Sequence, residues 1–228
     1  MTTIGETKTG VTDGATAPTT HEVGRTDVLR ASPPMFRAPL IDRFTRVHPV
    51  VPPLIFVPAI VWLALAADRR GVATLTLGLL VFAGWVVWGL VEYWIHRVLF
   101  HIEPERGLGA RLHWMVHGVH HDHPNDPLRL VMPPAVSVPG TALFVLLFTT
   151  TLGTGPGLAV GAGFVLGYLV YDMVHHHLHH RRARTRTGRW FRELHMRHHF
   201  QDDTKGYGIS WPWWDMVFGT FTRRGGRD

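Results

Sequence analysis

Four short segments carry the chemistry open to this chain: HRVLFH (His96, His101), HWMVHGVHH (His113, His117, His120, His121), HHHLHH (His175, His176, His177, His179, His180) and HMRHH (His195, His198, His199). Of 17 histidines, only His21 and His48 precede His96. A neutral imidazole offers one lone pair and is the commonest nitrogen ligand for metals. Cysteine is absent, which removes thiolate zinc sites, disulfides and a cysteine nucleophile, so any metal must be held by nitrogen or oxygen. Spacings of three and four share one helix face, so His117/His120/His121, His175/His179 and His195/His198/His199 each present converging imidazoles. His96 and His101 are five apart and need a helix end or a local distortion to meet at one site. The remaining His113, His123, His176, His177 and His180 fall off these facing sets. One ion takes roughly four to six ligands; two ions sharing the set is the natural count.

The elements that must position these groups are apolar. Stretches over about 50–67, 72–95, 135–152 and 157–174 each approach the ~20 residues that cross a hydrocarbon core, and Glu92 and Asp172 are the only charges within them. Short breaks, ADRRG and GTGP, join them pairwise. The expected fold is therefore an all-α integral membrane protein with four transmembrane helices in two hairpins and a cytoplasmic helical cap holding the histidines. Arg69 and Arg70 are the only cations at the hairpin tips, and the other 21 of 23 lie before the first stretch, between Arg97 and Arg129, or from Arg181 onward. The positive-inside rule then puts both termini and the middle segment in the cytoplasm. This topology accounts for the net charge of +6 and leaves no support for nucleic-acid binding.

Residues 1–33 are polar and without apolar period, as in a disordered tail, and show no secretory signal. Residues 34–49 mix apolar and basic groups as a short interfacial amphipathic piece would. The membrane domain is expected over 50–222, followed by a tail at 223–228. Asp172 stands three residues before His175, and Glu92 one turn before His96; each either orients its histidine through the second ring nitrogen or faces headgroups and water. Arg181, Arg182, Arg184, Arg186 and Arg189 serve either as a topology determinant beside anionic lipid or as a dock for an acidic redox protein.

HRVLFH, HGVHHDHPNDPLRLVMPP, YDMVHHHLHH, HMRHHFQDDTKGYGIS and WDMVFGT together resemble the fatty acid 2-hydroxylase branch of the fatty acid hydroxylase and sterol desaturase superfamily, over about residues 92–220. The resemblance implies metal ligands at His96, His101, His117, His120, His121, His175, His179, His195, His198 and His199. It also implies a membrane non-haem di-iron monooxygenase, with zinc as an exchange product on isolation. The reaction implied is insertion of one atom of O2 at C2 of a long acyl chain, free or in a sphingolipid. Many relatives carry a cytochrome b5 domain with a His-Pro-Gly-Gly motif; residues 1–49 have none, so a cytochrome b5-like or ferredoxin-type donor must come from outside. The remaining alternatives are a superfamily enzyme acting on a sterol, carotenoid or other membrane lipid, and a histidine-rich metal transporter. The transporter is disfavoured because no His, Asp or Glu lies in the middle of the apolar stretches. The composition leans toward a bacterial inner membrane, the endoplasmic reticulum being the eukaryotic equivalent.

The cation asymmetry generates a topology test. Reporter tags at either terminus should read as cytoplasmic, and a tag at Arg69 or in the turn 153–157 as exterior. Termini on opposite sides would mean an odd number of spans and no shared cap.

Overall fold

The computed structural model describes residues 24–102, 104 and 106–222. In chain order the helices are α1 (Arg25–Arg30), α2 (Pro39–Arg43), α3 (Val51–Asp68), α4 (Thr74–Trp94), α5 (Gly107–His113), α6 (Val119–Asp122), α7 (Pro134–Leu152), α8 (Thr154–His180), α9 (Arg186–Phe200) and α10 (Trp213–Val217). Two π-helical turns, Ile95–Phe100 and Trp114–Gly118, continue α4 and join α5 to α6. There is no strand among the described residues.

Four of these helices are long and apolar enough to cross a membrane, and they fall on the four expected stretches. Local chemistry sets their limits. Proline occupies the first turn of α3 and α7, where its missing N–H has no intrahelical partner to lose. Gly71 and Gly153, at φ 81° and 84°, supply the left-handed residues that turn the chain back in each hairpin. The fourth helix departs most from expectation. It runs 27 residues, about 40 Å at 1.5 Å per residue, some 10 Å more than the hydrocarbon core. The excess is the HHHLHH segment, which continues the helix without a break.

The first hairpin is not a packing unit. α8 lies at the centre, packed on α3, α4 and α7, while α3 and α4 touch each other little. Accordingly 78% of the apolar window of α8 is buried, against 28%, 17% and 11% for α3, α4 and α7, whose remaining apolar faces point outward. Two glycines allow the closest crossing. A Cβ on Gly84 would collide with the Val160 carbonyl oxygen, and one on Gly163 would collide with that of Val81. Small residues let helix backbones meet in lipid, where dispersion must replace the hydrophobic drive between helices. Trp88, Phe164 and Tyr168 fill the adjoining space edge to face.

The disordered tail expected over 1–33 is described only from residue 24. Residues 1–23 and 223–228 lie outside the described residues, but α1 sits against the cap. There the Leu29 carbonyl accepts from the Asn125 N–H at 2.9 Å, and the Val28 carbonyl accepts from His123 Nδ1 at 2.6 Å. Asp42 of α2 is buried. It accepts from the Met35 N–H and pairs with Arg46 at 3.1 Å and with Arg129 of the LRLVMPP segment at 3.0 Å. These contacts offset the cost of burying the carboxylate. On the other side of the same segment Leu40, Ile41 and Phe44 are exposed.

The α4–α8 crossing predicts that Gly163→Val or Gly84→Val lowers the melting temperature in detergent, since overpacking costs about 1–3 kcal/mol or more. Gly78→Ala should not, because its methyl meets nothing within 4 Å. Equal melting temperatures for all three would refute the close crossing.

Candidate metal centre

The distortion required between His96 and His101 is present. On an α-helix, residues five apart point about 140° away from each other. The π-helical turn Ile95–Phe100 replaces i→i+4 bonding by i→i+5, and the Nε2 atoms of His96 and His101 come within 3.2 Å. A second π-helical turn, Trp114–Gly118, carries His117 and leads into α6 with His120 and His121. The end of α8 supplies His175 and His179, and α9 supplies His195, His198 and His199.

All ten imidazoles meet at one end of the bundle, in two groups of five. The first comprises His96, His101, His117, His121 and His198; the second, His120, His175, His179, His195 and His199. Within each group the ligand nitrogens all lie within 4.8 Å of one another. In the first, Nε2 of His117 stands 3.1 Å from that of His96 and 3.0 Å from that of His121. In the second, His120 approaches His175 at 2.9 Å and His199 at 3.0 Å, and His195 approaches His179 at 2.7 Å and His199 at 3.1 Å. Nitrogens bonded to one ion at about 2.1 Å stand about 3.0 Å apart at right angles and about 3.4 Å apart in a tetrahedron. The observed edges fall in or just below that range. The groups abut, with the rings of His121 and His199 at 4.3 Å.

The helices divide their histidines between the groups. His117 and His121, one turn apart, serve the first while His120 serves the second; on α9, His195 and His199 serve the second while His198 serves the first. The expectation that each triplet converges on a common point is thereby corrected: i,i+4 pairs stack along one line, and the intervening i+3 residue points to one side of it.

Hydrogen bonds orient the rings. A carbonyl can only accept, so Nδ1–H of His96 donates to the Tyr207 carbonyl and that of His198 to the Lys205 carbonyl, each at 2.7 Å. In the neutral ring this leaves Nε2 of both histidines with a bare lone pair. Nε2 of His198 is buried with no hydrogen-bond partner among the described residues. Lone pairs converging in a buried space repel one another unless a cation lies between them, so the residues present fit metal ions. Burial, with the neighbouring imidazoles, holds His117, His120, His195 and His199 well below the usual imidazole range and His101 down to about 3. The rings are therefore neutral at physiological pH, the form that ligates.

The carboxylates do not orient the histidines assigned to them. Glu92 accepts from the Ser210 N–H at 2.7 Å and from the Ser210 hydroxyl. Asp172 accepts from the Met132 N–H at 3.2 Å and the Tyr168 hydroxyl at 3.3 Å, so it pins the LRLVMPP segment instead. His96 is oriented by the loop 205–210, which Glu92 holds at one end. Asp215, not singled out from sequence, holds the middle of that loop by accepting from the Tyr207 and Gly208 N–H groups, both at 2.8 Å. Its place in WDMVFGT was the available signal. The carbonyls of Lys205 and Tyr207 offered none, since every residue has one.

The other described histidines stand apart from both groups, and His21 lies outside the described residues. His113 bonds the Phe100 carbonyl, His123 holds α1, the rings of His176 and His180 meet at a tilt, and His177 and His48 are exposed.

Four membrane-length helices with two all-imidazole metal-binding groups at one end define a class of helical membrane proteins built around a pair of metal sites. The sequence model described as fatty acid hydroxylase matches residues 81–220. The chain is similar to a dihydroceramide fatty acyl 2-hydroxylase of Arabidopsis thaliana, 38% identical over 172 residues that cover 74% of this chain and 71% of the relative. It is similar to a ceramide very long chain fatty acid hydroxylase of Schizosaccharomyces pombe, 34% identical over 80% of this chain and 54% of the relative. A fatty acid 2-hydroxylase of Rattus norvegicus is 33% identical over 82% and 56%. Among solved structures, full-length scs7p with only its hydroxylase domain visible aligns with a TM-score of 0.76 and 34% identity, covering 80% of this chain and 70% of that one. The chain belongs to the fatty acid hydroxylase family and is an oxidoreductase.

The partition into two groups predicts the response to single substitutions. His198→Ala and His175→Ala should each cost one bound ion, from different groups, and His48→Ala should cost none. Elemental analysis of the purified variants reads this directly. Full occupancy in both ligand variants would refute the two-site geometry.

Proposed function

We propose that this protein is an O2-dependent di-iron hydroxylase that places a hydroxyl at C2 of a long acyl chain, in a fatty acid or a ceramide-type sphingolipid. The observation that carries the proposal is the pair of five-histidine groups in a chain whose relatives are named as ceramide, dihydroceramide and fatty acid hydroxylases. His96, His101, His117, His121 and His198 would hold one ion, and His120, His175, His179, His195 and His199 the other. An iron pair held there would supply the activation of O2 and the breaking of an unreactive C–H bond, chemistry for which redox-inert zinc is unsuited.

The chain's own residues do the rest. The Lys205 and Tyr207 carbonyls fix the ring orientation of His198 and His96, and Asp215 and Glu92 fix the loop that carries those carbonyls. Burial keeps the ligand rings neutral and limits the access of water. The outward apolar faces of α3, α4 and α7 suit a substrate whose tail stays in lipid while its carboxyl or amide end reaches the cap. One turnover consumes an acyl C–H bond, O2, two protons and two electrons, and yields the alcohol and one water. The electrons come from a separate carrier, cytochrome b5-like or ferredoxin-type. Both termini and the histidine cap lie on the cytoplasmic side, of a bacterial inner membrane or, in a eukaryote, of the endoplasmic reticulum.

Mass spectrometry of lipids from cells expressing the protein should find 2-hydroxy acyl species that a His179→Ala variant does not make. Hydroxylated sterols or carotenoids with unchanged acyl lipids would overturn the assignment.

A further inference from the structure

The proposed reaction requires two electrons, and among the described residues no redox group other than the metal pair would receive them, so their point of entry must be sought on the surface of the cap. The stretch that leads into α9 and runs along it is distinctive. From Arg181 to Arg197 the sequence holds arginines at 181, 182, 184, 186, 189, 192 and 197 against a single acid, Glu193. The ion pair of Glu193 with Arg197 at 2.6 Å offsets only one of these charges. Beside this stretch lies a cleft of about 420 Å³ whose walls include Arg186, Arg189, Trp190, Phe221 and the Glu193–Arg197 pair. Arg186 and Arg189 are exposed at its mouth.

The floor of the cleft leads to the metal centre. Leu194, Phe221 and Thr222 line it, and the same three residues line a smaller cavity that touches His195. α9 thus carries ligand histidines on its inner side and the cationic cleft on its outer side, so the two are separated by no more than about one helix diameter, ~10 Å. Electron transfer weakens steeply with distance, and no route to the second histidine group that starts behind a longer stack of side chains would compete.

We propose that this cleft is the docking site of an acidic one-electron carrier protein, which reduces the metal pair through α9 beside His195. The inference rests on the hydroxylase reading above. An arginine rim would steer an acidic partner and set its association rate, and a large aromatic with arginine is the composition of an interface anchor. A lone phosphate would not fill the space. With iron held by the two histidine groups, each docking would pass one electron from the reduced carrier to the site, oxidising the carrier by one and forming no bond. Two dockings supply one turnover, and the protons come from water.

The test uses the full chain, loaded with iron, in nanodiscs of zwitterionic lipid. Turnover to 2-hydroxy product is driven either by dithionite or by the reduced soluble domain of a cytochrome b5 or a plant-type ferredoxin with its reductase. The doubly substituted R186E/R189E and the single variant W190A are compared with wild type. Binding of the oxidised carrier to the nanodisc-embedded chain, read by fluorescence titration with or without iron loaded, should weaken about tenfold or more at low salt in the charge-reversed variant, and carrier-driven turnover should fall with it through a raised KM for the carrier. Its inverse dependence on salt should vanish with it, while dithionite-driven turnover stays at the wild-type rate. W190A should lose carrier-driven turnover without a change in salt dependence. Equal carrier-driven rates in wild type and R186E/R189E would overturn the docking site. So would a defect seen only when anionic lipid is added, which would mark the cleft as a headgroup site. Failure of wild type to make product even with dithionite would instead overturn the hydroxylase reading beneath it.

Discussion

Ten imidazole nitrogens gathered at two points are the constraint on which the rest of this molecule depends. Wherever two of them face each other as bare lone pairs about 3 Å apart in a buried space, they oppose the packing that brings them together unless a cation lies between them. Folding of the cap and metal binding are therefore coupled, since the ion supplies the attraction that the side chains lack. Everything nearby serves to hold rings in orientations that a free chain would avoid: two π-helical turns, a loop whose carbonyls face inward, and a helix extended beyond the membrane.

The membrane bundle provides the fixed reference for that cap. Because α8 is central and nearly enclosed, its last turns emerge at a defined place, and His175 and His179 emerge with them. α4 is locked to α8 by the glycine crossing at Gly84 and Gly163, which sets the height at which the π-helical turn presents His96. The cap elements between the spans have no comparable core and are secured by discrete polar ties: Asp42 to Arg129, Asp172 to Met132, Glu92 to Ser210 and Asp215 to the backbone of 207–208. Buried carboxylates suit this purpose. An unsatisfied one is costly, so each is stable only where several donors are already arranged around it.

Those ties also give the motif segments without histidine a role beside the clusters. LRLVMPP receives the Asp172 carboxylate and offers Arg129 to Asp42, and GYGIS and WDMVFGT form the loop and clamp that orient His96 and His198. Their role is to transmit position from the bundle to the rings, which demands specific backbone geometry as much as particular side chains. The same division applies to α9: its inner face is committed to the metal centre, and its outer face keeps a positive surplus because the Glu193–Arg197 pair offsets only one of its arginines.

The sequence alone determined the features set by local, periodic or compositional rules. Four apolar stretches of membrane length, their pairing by short turns, the nitrogen-only ligand set and the need for a distortion between His96 and His101 were all legible, because each depends on spacing along one helix or on the presence or absence of a residue type. The tertiary structure decided what depends on relative placement. It made α8 the centre of the bundle, since which of four similar apolar helices is enclosed is settled by glycine crossings and aromatic packing between them. It sent His120 and His198 to opposite groups from their helix neighbours, since a helical face spans enough arc to serve two points and only the positions of the other helices choose between them. It also transferred the orienting of His96 from Glu92 to the Tyr207 carbonyl. A backbone carbonyl has no sequence signature, and a carboxylate one turn away bonds whichever donor the fold brings to it.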